Sequence, residues 1–86
     1  MSYRVEFTSA AARQVRKLPR PARDRVLEAI EDLGDDPRPH GAKKLVGERT
    51  AWRIRIGDYR VLYDVFDSEL TVSVVRAAHR REVYDR

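Results

Sequence analysis

The sequence predicts one α+β domain over residues 1–86, in the order β-α-α-β-β-β, with a helical hairpin packed on one face of a small, mainly antiparallel four-stranded sheet. Three observations carry that expectation. Residues 52–63 alternate between apolar and polar side chains, the period of a strand with two unlike faces. Two stretches between residues 9 and 33 repeat at helical spacing instead. Tyr3–Phe7 alternates again near one end of the chain, and Leu70–Val74 near the other.

In chain order, Tyr3–Phe7 is the first strand, and Thr8 or Ser9 caps the helix that follows. Ala11, Ala12, Val15 and Leu18 form its apolar stripe, and Pro19 stops it. Pro21 suits the first turn of a second helix, whose buried stripe is Ala22, Val26, Ala29, Ile30 and Leu33. Gly34 and Pro37 end that helix. Residues 35–50 show little periodicity and read as an irregular loop. Gly57-Asp58 then forms a two-residue hairpin turn, which pairs Ile56 with Tyr59, Arg55 with Arg60, Ile54 with Val61 and Trp52 with Tyr63. The last strand joins through Asp67-Ser68-Glu69. An even-numbered connection pairs Val65 with Leu70, Tyr63 with Val72 and Val61 with Val74, which keeps the apolar residues on one side.

The hairpin register sorts the side chains. Trp52, Ile54, Ile56, Tyr59, Val61 and Tyr63 share the face that the helices cover, and they read as core. Arg53, Arg55 and Arg60 gather on the other face with Leu62, Asp64, Thr71, Ser73 and Val75. Like charges directly opposed across strands cost roughly 0.2–1 kcal/mol, and nothing in the fold requires them there. Crowded guanidinium groups are relieved by an anion with several oxygens, of which a phosphodiester backbone is the commonest.

Composition limits what else the chain does. A net charge of +4, from 18 basic and 14 acidic residues, favours an acidic partner. Three of the 18 basic residues are lysine and the other 15 arginine, which favours bidentate over point-charge contacts. A GC-rich coding bias accounts equally well for the arginine total, but not for three arginines on one face. With no cysteine there is neither a disulfide framework nor a thiolate site, and no cofactor or metal is called for. The first residues lack the apolar core of a signal peptide, and no run approaches membrane-spanning length. A soluble, cytoplasmic protein that does not engage membranes is expected.

The closing segment brings His79, Arg80, Arg81 and Tyr84 into one short stretch. Histidine is the side chain suited to moving protons near neutrality, arginine stabilises a pentavalent phosphate, and tyrosine donates a proton or stacks on a splayed base. Each also has a plainer reading: His79 as a surface side chain, Tyr84 packed against a strand end, and Arg81 with Glu82 as a solvated ion pair. Lys43 and Lys44 are either a solvated loop or phosphate contacts. His40, in the Pro/Gly loop, reads as incidental.

Trp52-Arg53-Ile54-Arg55-Ile56, Tyr59-Arg60-Val61-Leu62-Tyr63 and His79-Arg80-Arg81-Glu82-Val83-Tyr84, with Lys17-Leu18-Pro19 in the helical hairpin, together resemble the RelE/ParE superfamily of toxin–antitoxin toxins, and its RelE branch in particular. That resemblance covers essentially the whole chain. It implies a RelE-like fold and a metal-independent endoribonuclease that enters the ribosomal A site and cuts mRNA by in-line attack of the 2′-hydroxyl. A RelB-like antitoxin wraps and silences such toxins in a hetero-oligomer. Carried onto this chain, the catalytic positions are Arg53, Arg55, Arg60, Arg80 and Tyr84; apart from the resemblance, the charges of Lys43, Lys44 and Arg81 make them expected RNA contacts. Arginine stands at 53 and 55 where the best-known pattern has lysine. Arginine is a poor base, so His79 is expected to accept the 2′-hydroxyl proton, as a histidine near this point does in other branches. Two readings compete: a ParE-like inhibitor of DNA gyrase, and a non-catalytic or decayed RNA-binding module.

Overall fold

A computed structural model describes residues 2–81. Its elements are β1 (Arg4–Phe7), α1 (Ser9–Arg16), α2 (Arg20–Asp32), β2 (Lys43–Lys44), β3 (Ala51–Ile56), β4 (Tyr59–Phe66) and β5 (Thr71–His79), with one turn of 3₁₀ helix at Asp67–Glu69. The sheet order is β1-β5-β4-β3-β2. Every pairing is antiparallel except β1 with β5, the two strands between which all the other elements fall in the chain.

The helices begin where their caps direct. Thr8 holds extended backbone, and its hydroxyl accepts the Ala11 N–H at 3.1 Å. Pro21 occupies the first turn of α2, where its missing N–H goes unmissed. Ala11, Val15, Val26, Ile30 and Leu33 leave the helices to meet Ile54, Val61, Tyr63, Val65, Val72 and Val74 of the sheet in one core. Gly34 lets the end of α2 approach β1, since a Cβ there would stand 3.2 Å from the Tyr3 carbonyl oxygen.

The hairpin register is the expected one throughout, from Ile56 opposite Tyr59 to Trp52 opposite Tyr63. Gly57 takes the left-handed φ of +60° that the tight turn demands.

Three features differ from expectation. First, the presumed loop of residues 35–50 contains a fifth strand, β2, which sets Lys43 opposite Arg53 and Lys44 opposite Trp52. Two residues are too few to display a period. Second, the connection to β5 is again four residues long, but it runs from Asp67 to Leu70 and ends on Leu70 in the left-handed region at φ +48°. Phe66 therefore pairs with Thr71 and Val65 with Val72, not Leu70. Even parity survives, so Val72 and Val74 still point into the core. Third, β5 runs on to His79 and its register shifts between Leu62 and Tyr63. Tyr63 pairs with Val74, Leu62 with Arg76 and Val61 with Ala77, leaving Val75 as the extra residue of a bulge. The pairings expected from Tyr63 with Val72 and Val61 with Val74 give way to these.

Two side-chain ties secure the segment after α2. The fully buried Tyr63 donates its hydroxyl to the Pro37 carbonyl at 2.8 Å, and burial pushes its phenol up to about 12. On the surface, Arg38 grips Asp67 with two nitrogens at 3.2 and 2.7 Å while Tyr3 donates to the same carboxylate at 2.6 Å. The Arg38 guanidinium also lies 5.4 Å from the Trp52 ring centroid. The hydrogen bond from Arg38, followed by that from Tyr3, holds the Asp67 carboxyl below the ordinary carboxylate range.

Tyr63→Phe strands the buried Pro37 carbonyl and is expected to lower unfolding stability by about 1–2 kcal/mol in urea titrations. A lowered carboxyl stabilises the fold above the pH at which it titrates in the unfolded chain, and that contribution fades as pH falls through its folded value. Wild type should therefore exceed Asp67→Asn in urea midpoint at neutral pH, with the gap closing below about pH 4. A gap that persisted at pH 2 would show that the carboxylate is not the source.

Candidate nucleic-acid interface

Cross-strand partners share a side of the sheet, so the register dictates which charges meet. On the face away from the helices, one row across the strands reads Lys43, Arg53, Leu62, Arg76. The next row toward the Gly57 turn reads Arg55, Arg60, Ala78. Neighbours within a row are about 4.8 Å apart, and the rows lie roughly 7 Å apart, two residues along a strand. Four arginines and a lysine thus converge on a patch two rows deep.

Their environments differ. Arg53 is only 6% exposed, Arg60 is half-buried, and Arg55 is open to solvent. Burying a guanidinium restricts it to a few rotamers, so Arg53 and Arg60 present fixed donors where Arg55 is adaptable. At the opposite end of the same face, Asp64 accepts the Thr50 hydroxyl at 2.9 Å. Asp64 and Glu48 join Leu45, Val46, Ala51, Leu62 and Val75 around a hollow of about 320 Å³ there.

The structure brings some of the sequence-predicted residues together and separates others. Arg53, Arg55, Arg60 and Lys43 share the open face. Lys44, opposite Trp52, points to the helix side. Arg80 follows directly on β5; its N–H donates to the Asp58 carbonyl at 2.7 Å, and its Nε lies 3.9 Å from the Asp58 carboxylate. Both side chains of that pair are mostly exposed, so it holds Arg80 only loosely beside the turn. Arg81 is exposed. Tyr84 lies outside the described residues.

His79 is the residue whose position departs most from expectation. The bulge reverses the parity of β5, so His79 sits opposite Tyr59 and not on the side of Arg60. Its ring stands edge-on to that of Tyr59, with centroids 5.6 Å apart and planes at 80°. Its Nδ1 accepts the Arg81 N–H at 3.2 Å, which assigns the proton of the neutral ring to Nε2. The imidazole therefore belongs to the helix side of the sheet end, across the sheet from the arginine rows. The same bulge adds Arg76, which the sequence reading passed over. The signal was an apolar-polar count along β5 that needed one residue skipped at Val75. Among the described residues, no group of three or more His, Cys, Asp or Glu side chains could hold a metal ion, and no helix is long and apolar enough to cross a membrane.

Known proteins share this architecture. Residues 5–84 match the family described as the ParE toxin of type II toxin–antitoxin systems. Toxin RelG of Mycobacterium tuberculosis is 38% identical over 90 residues, spanning all of both chains. The mRNA interferase toxin RelE of Escherichia coli is 30% identical over 88 residues, covering 98% of this chain and 92% of that protein. Among solved structures, the toxin–antitoxin complex RelBE2 of M. tuberculosis matches with a TM-score of 0.83 at 34% identity, over 95% of each chain. The archaeal RelE–RelB complex of Pyrococcus horikoshii matches with a TM-score of 0.83 at 28% identity, over 96% of this chain and 100% of that one. A helical hairpin backing a mixed sheet is the architecture this chain shares with those toxins. This chain belongs to the RelE/ParE superfamily of type II toxin–antitoxin toxins and is of the RelBE type. Relatives named mRNA interferases point to an endoribonuclease kind of activity.

Because Arg55 directly opposes Arg60, replacing it should relieve repulsion. Arg55→Thr is expected to raise unfolding stability by roughly 0.2–1 kcal/mol at low ionic strength, with the gain shrinking as salt is added. A loss of stability, or a gain indifferent to salt, would show that the pair is not repulsive.

Proposed function

We propose that this toxin is a ribosome-dependent mRNA endonuclease that cuts the A-site codon by in-line attack of the 2′-hydroxyl. The observation that carries the reading is the direct opposition of Arg55 and Arg60 with Arg53 two residues along, all on one face. The 2′-oxygen attacks phosphorus, the bond to the 5′-oxygen breaks, and the products are a 2′,3′-cyclic phosphate and a 5′-hydroxyl. The 2′-hydroxyl proton leaves to a base and the departing 5′-oxygen takes one up. Negative charge accumulates on the phosphate oxygens in between, and fixed guanidinium donors from Arg53 and Arg60 stabilise it as it grows. Arg55 and Lys43 orient the strand, Arg80 approaches from the turn, and Tyr84 is a candidate proton donor or stacking group. Because these cations supply the charge stabilisation, the mechanism is metal-independent. A ribosomal target makes the cytoplasm its place of action.

His79 acts in this scheme as a positioning residue. Its Nδ1 holds the turn that presents Arg80 and Arg81, and proton abstraction from the RNA is left to another group. The cognate partner is a RelB-like antitoxin, in keeping with the RelE–RelB complexes that share the fold. An acidic segment wrapping the chain would neutralise the same face that the RNA uses.

The matching family model carries the ParE name, and that keeps gyrase inhibition as a second reading. Wild type and Arg60→Ala are added to a translation system and mRNA ends are mapped. Codon-phased cuts that fall by about 10²–10³-fold in Arg60→Ala are expected. Intact mRNA with gyrase-dependent DNA breaks would establish the ParE reading, and RNA binding without cleavage would mark a non-catalytic module. His79→Gln should reduce cleavage only severalfold and leave the pH dependence of kcat in place. Loss of 10²-fold or more together with a flattened pH limb would restore His79 as the base.

A further inference from the structure

The open edge of β5 carries a site beyond the arginine rows. β1 ends at Phe7, opposite Val74, but β5 continues five residues further. The C-terminal half of α1 takes the place of the missing strand. Gln14 Oε1 accepts the Ala77 N–H at 2.8 Å, and the Thr8 N–H donates to the Val74 carbonyl at 2.9 Å. Between helix and strand lies a groove of about 310 Å³ lined by Gln14, Lys17, Leu18, Arg76, Ala77 and Ala78.

Its lining joins cations to apolar side chains. Lys17 and Arg76 supply positive charge from the two walls, one on the helix and one on the strand. Leu18, Ala77 and Ala78 supply an apolar floor. With Oε1 of Gln14 committed to the backbone, its amide nitrogen remains as a hydrogen-bond donor. The groove also lies one strand over from the arginine patch. Ala78 lines it and stands directly opposite Arg60, while Arg76 is opposite Leu62 in the same row as Arg53. A chain lying across Arg55 and Arg60 meets this groove one strand spacing further on, about 4.8 Å away.

We infer that the groove between α1 and β5 is a subsite for an RNA nucleotide flanking the scissile one, with Arg76 and Lys17 holding its phosphodiester and Gln14 and the apolar floor receiving its sugar and base. This inference rests on the RNA-cutting reading above and assigns that site a second phosphate. The β-bulge at Val75 is what makes it possible: without the extra residue Arg76 would face the helices and Ala77 the solvent.

The test compares wild type, Arg76→Gln, Arg76→Lys and Lys17→Glu, each checked for an unchanged thermal melt. Two readouts are taken: cleavage kinetics on programmed ribosomes, and binding of a short single-stranded RNA that carries 2′-deoxyribose at the cut position. Arg76→Gln is expected to raise KM about tenfold, with kcat within about twofold of wild type, the scale of one charge-assisted contact at a solvent-accessible site. Lys17→Glu should act in the same direction, and Arg76→Lys should recover most of the loss. The log–log salt slope of oligonucleotide binding should shrink by about 0.7 in Arg76→Gln, one phosphate contact fewer. Loss on ribosomes with oligonucleotide binding and its salt slope intact would overturn the subsite and assign the contact to ribosomal RNA instead. Unchanged KM, affinity and salt slope in Arg76→Gln, while Arg60→Ala still lowers cleavage by about 10²-fold or more, would overturn the subsite alone. A wild type that neither binds nor cuts RNA would overturn the reading beneath it as well.

Discussion

The rest of the molecule depends on the two-residue turn at Gly57-Asp58. A side-chain period of two leaves a hairpin no intermediate choice: a one-residue slip exchanges every inward residue for an outward one. With Gly57 at φ +60°, Ile56 must meet Tyr59, and every pair down to Trp52 and Tyr63 follows. That single constraint delivers Ile54, Val61 and Tyr63 to the helices and Arg53, Arg55 and Arg60 to the opposite face. Core and candidate site are two consequences of the same register. A change that loosened the turn would damage both together.

This coupling explains why so much of the fold was legible. The hairpin, both helices with their Thr8 cap and Pro19 break, and the even connection into β5 are all written in local periods and turn residues. Two things were not. The β2 strand is two residues long and exists because the chain lies alongside β3, with the Leu45 N–H donating to the Ala51 carbonyl at 3.0 Å; no pattern within Lys43 and Lys44 announces it. The bulge at Val75 is likewise a property of the pairing of β4 with β5. A valine-rich strand reads the same with or without a skipped residue. That one residue governs the candidate site, because it decides whether His79 or Arg76 faces the arginines. Sequence proximity favoured His79; the ladder favours Arg76.

The arrangement also sets stability against binding. Arginines opposed across strands repel, and the burial of Arg53 adds a desolvation cost. The opposite face supplies the compensation through Val61, Tyr63, Val72 and Val74, all effectively inaccessible to solvent. Ties outside the site, from Tyr63 to Pro37 and from Arg38 to Asp67, fix the segment that carries β2 and so hold Lys43 against Arg53. The charged patch is thus held on a scaffold stabilised elsewhere, which fixes the backbone positions from which its side chains extend.

A patch kept under repulsion has a thermodynamic corollary. Any polyanion that binds the folded face and not the unfolded chain stabilises the fold by mass action, and part of its binding free energy comes from relieving the opposed charges. On the proposed reading, RNA and an acidic protein segment would draw on the same relief, so each weakens binding of the other at this face even where their contacts differ in detail. The groove at the β5 edge refines that competition. An inhibitor that covers only Arg53, Arg55 and Arg60 leaves Arg76 and Lys17 able to attract a phosphate, whereas one extending to α1 removes both footholds. Control of the toxin is therefore expected to depend on how far across the sheet its partner reaches, and the strand that sets this distance is β5, the one whose register the sequence conceals.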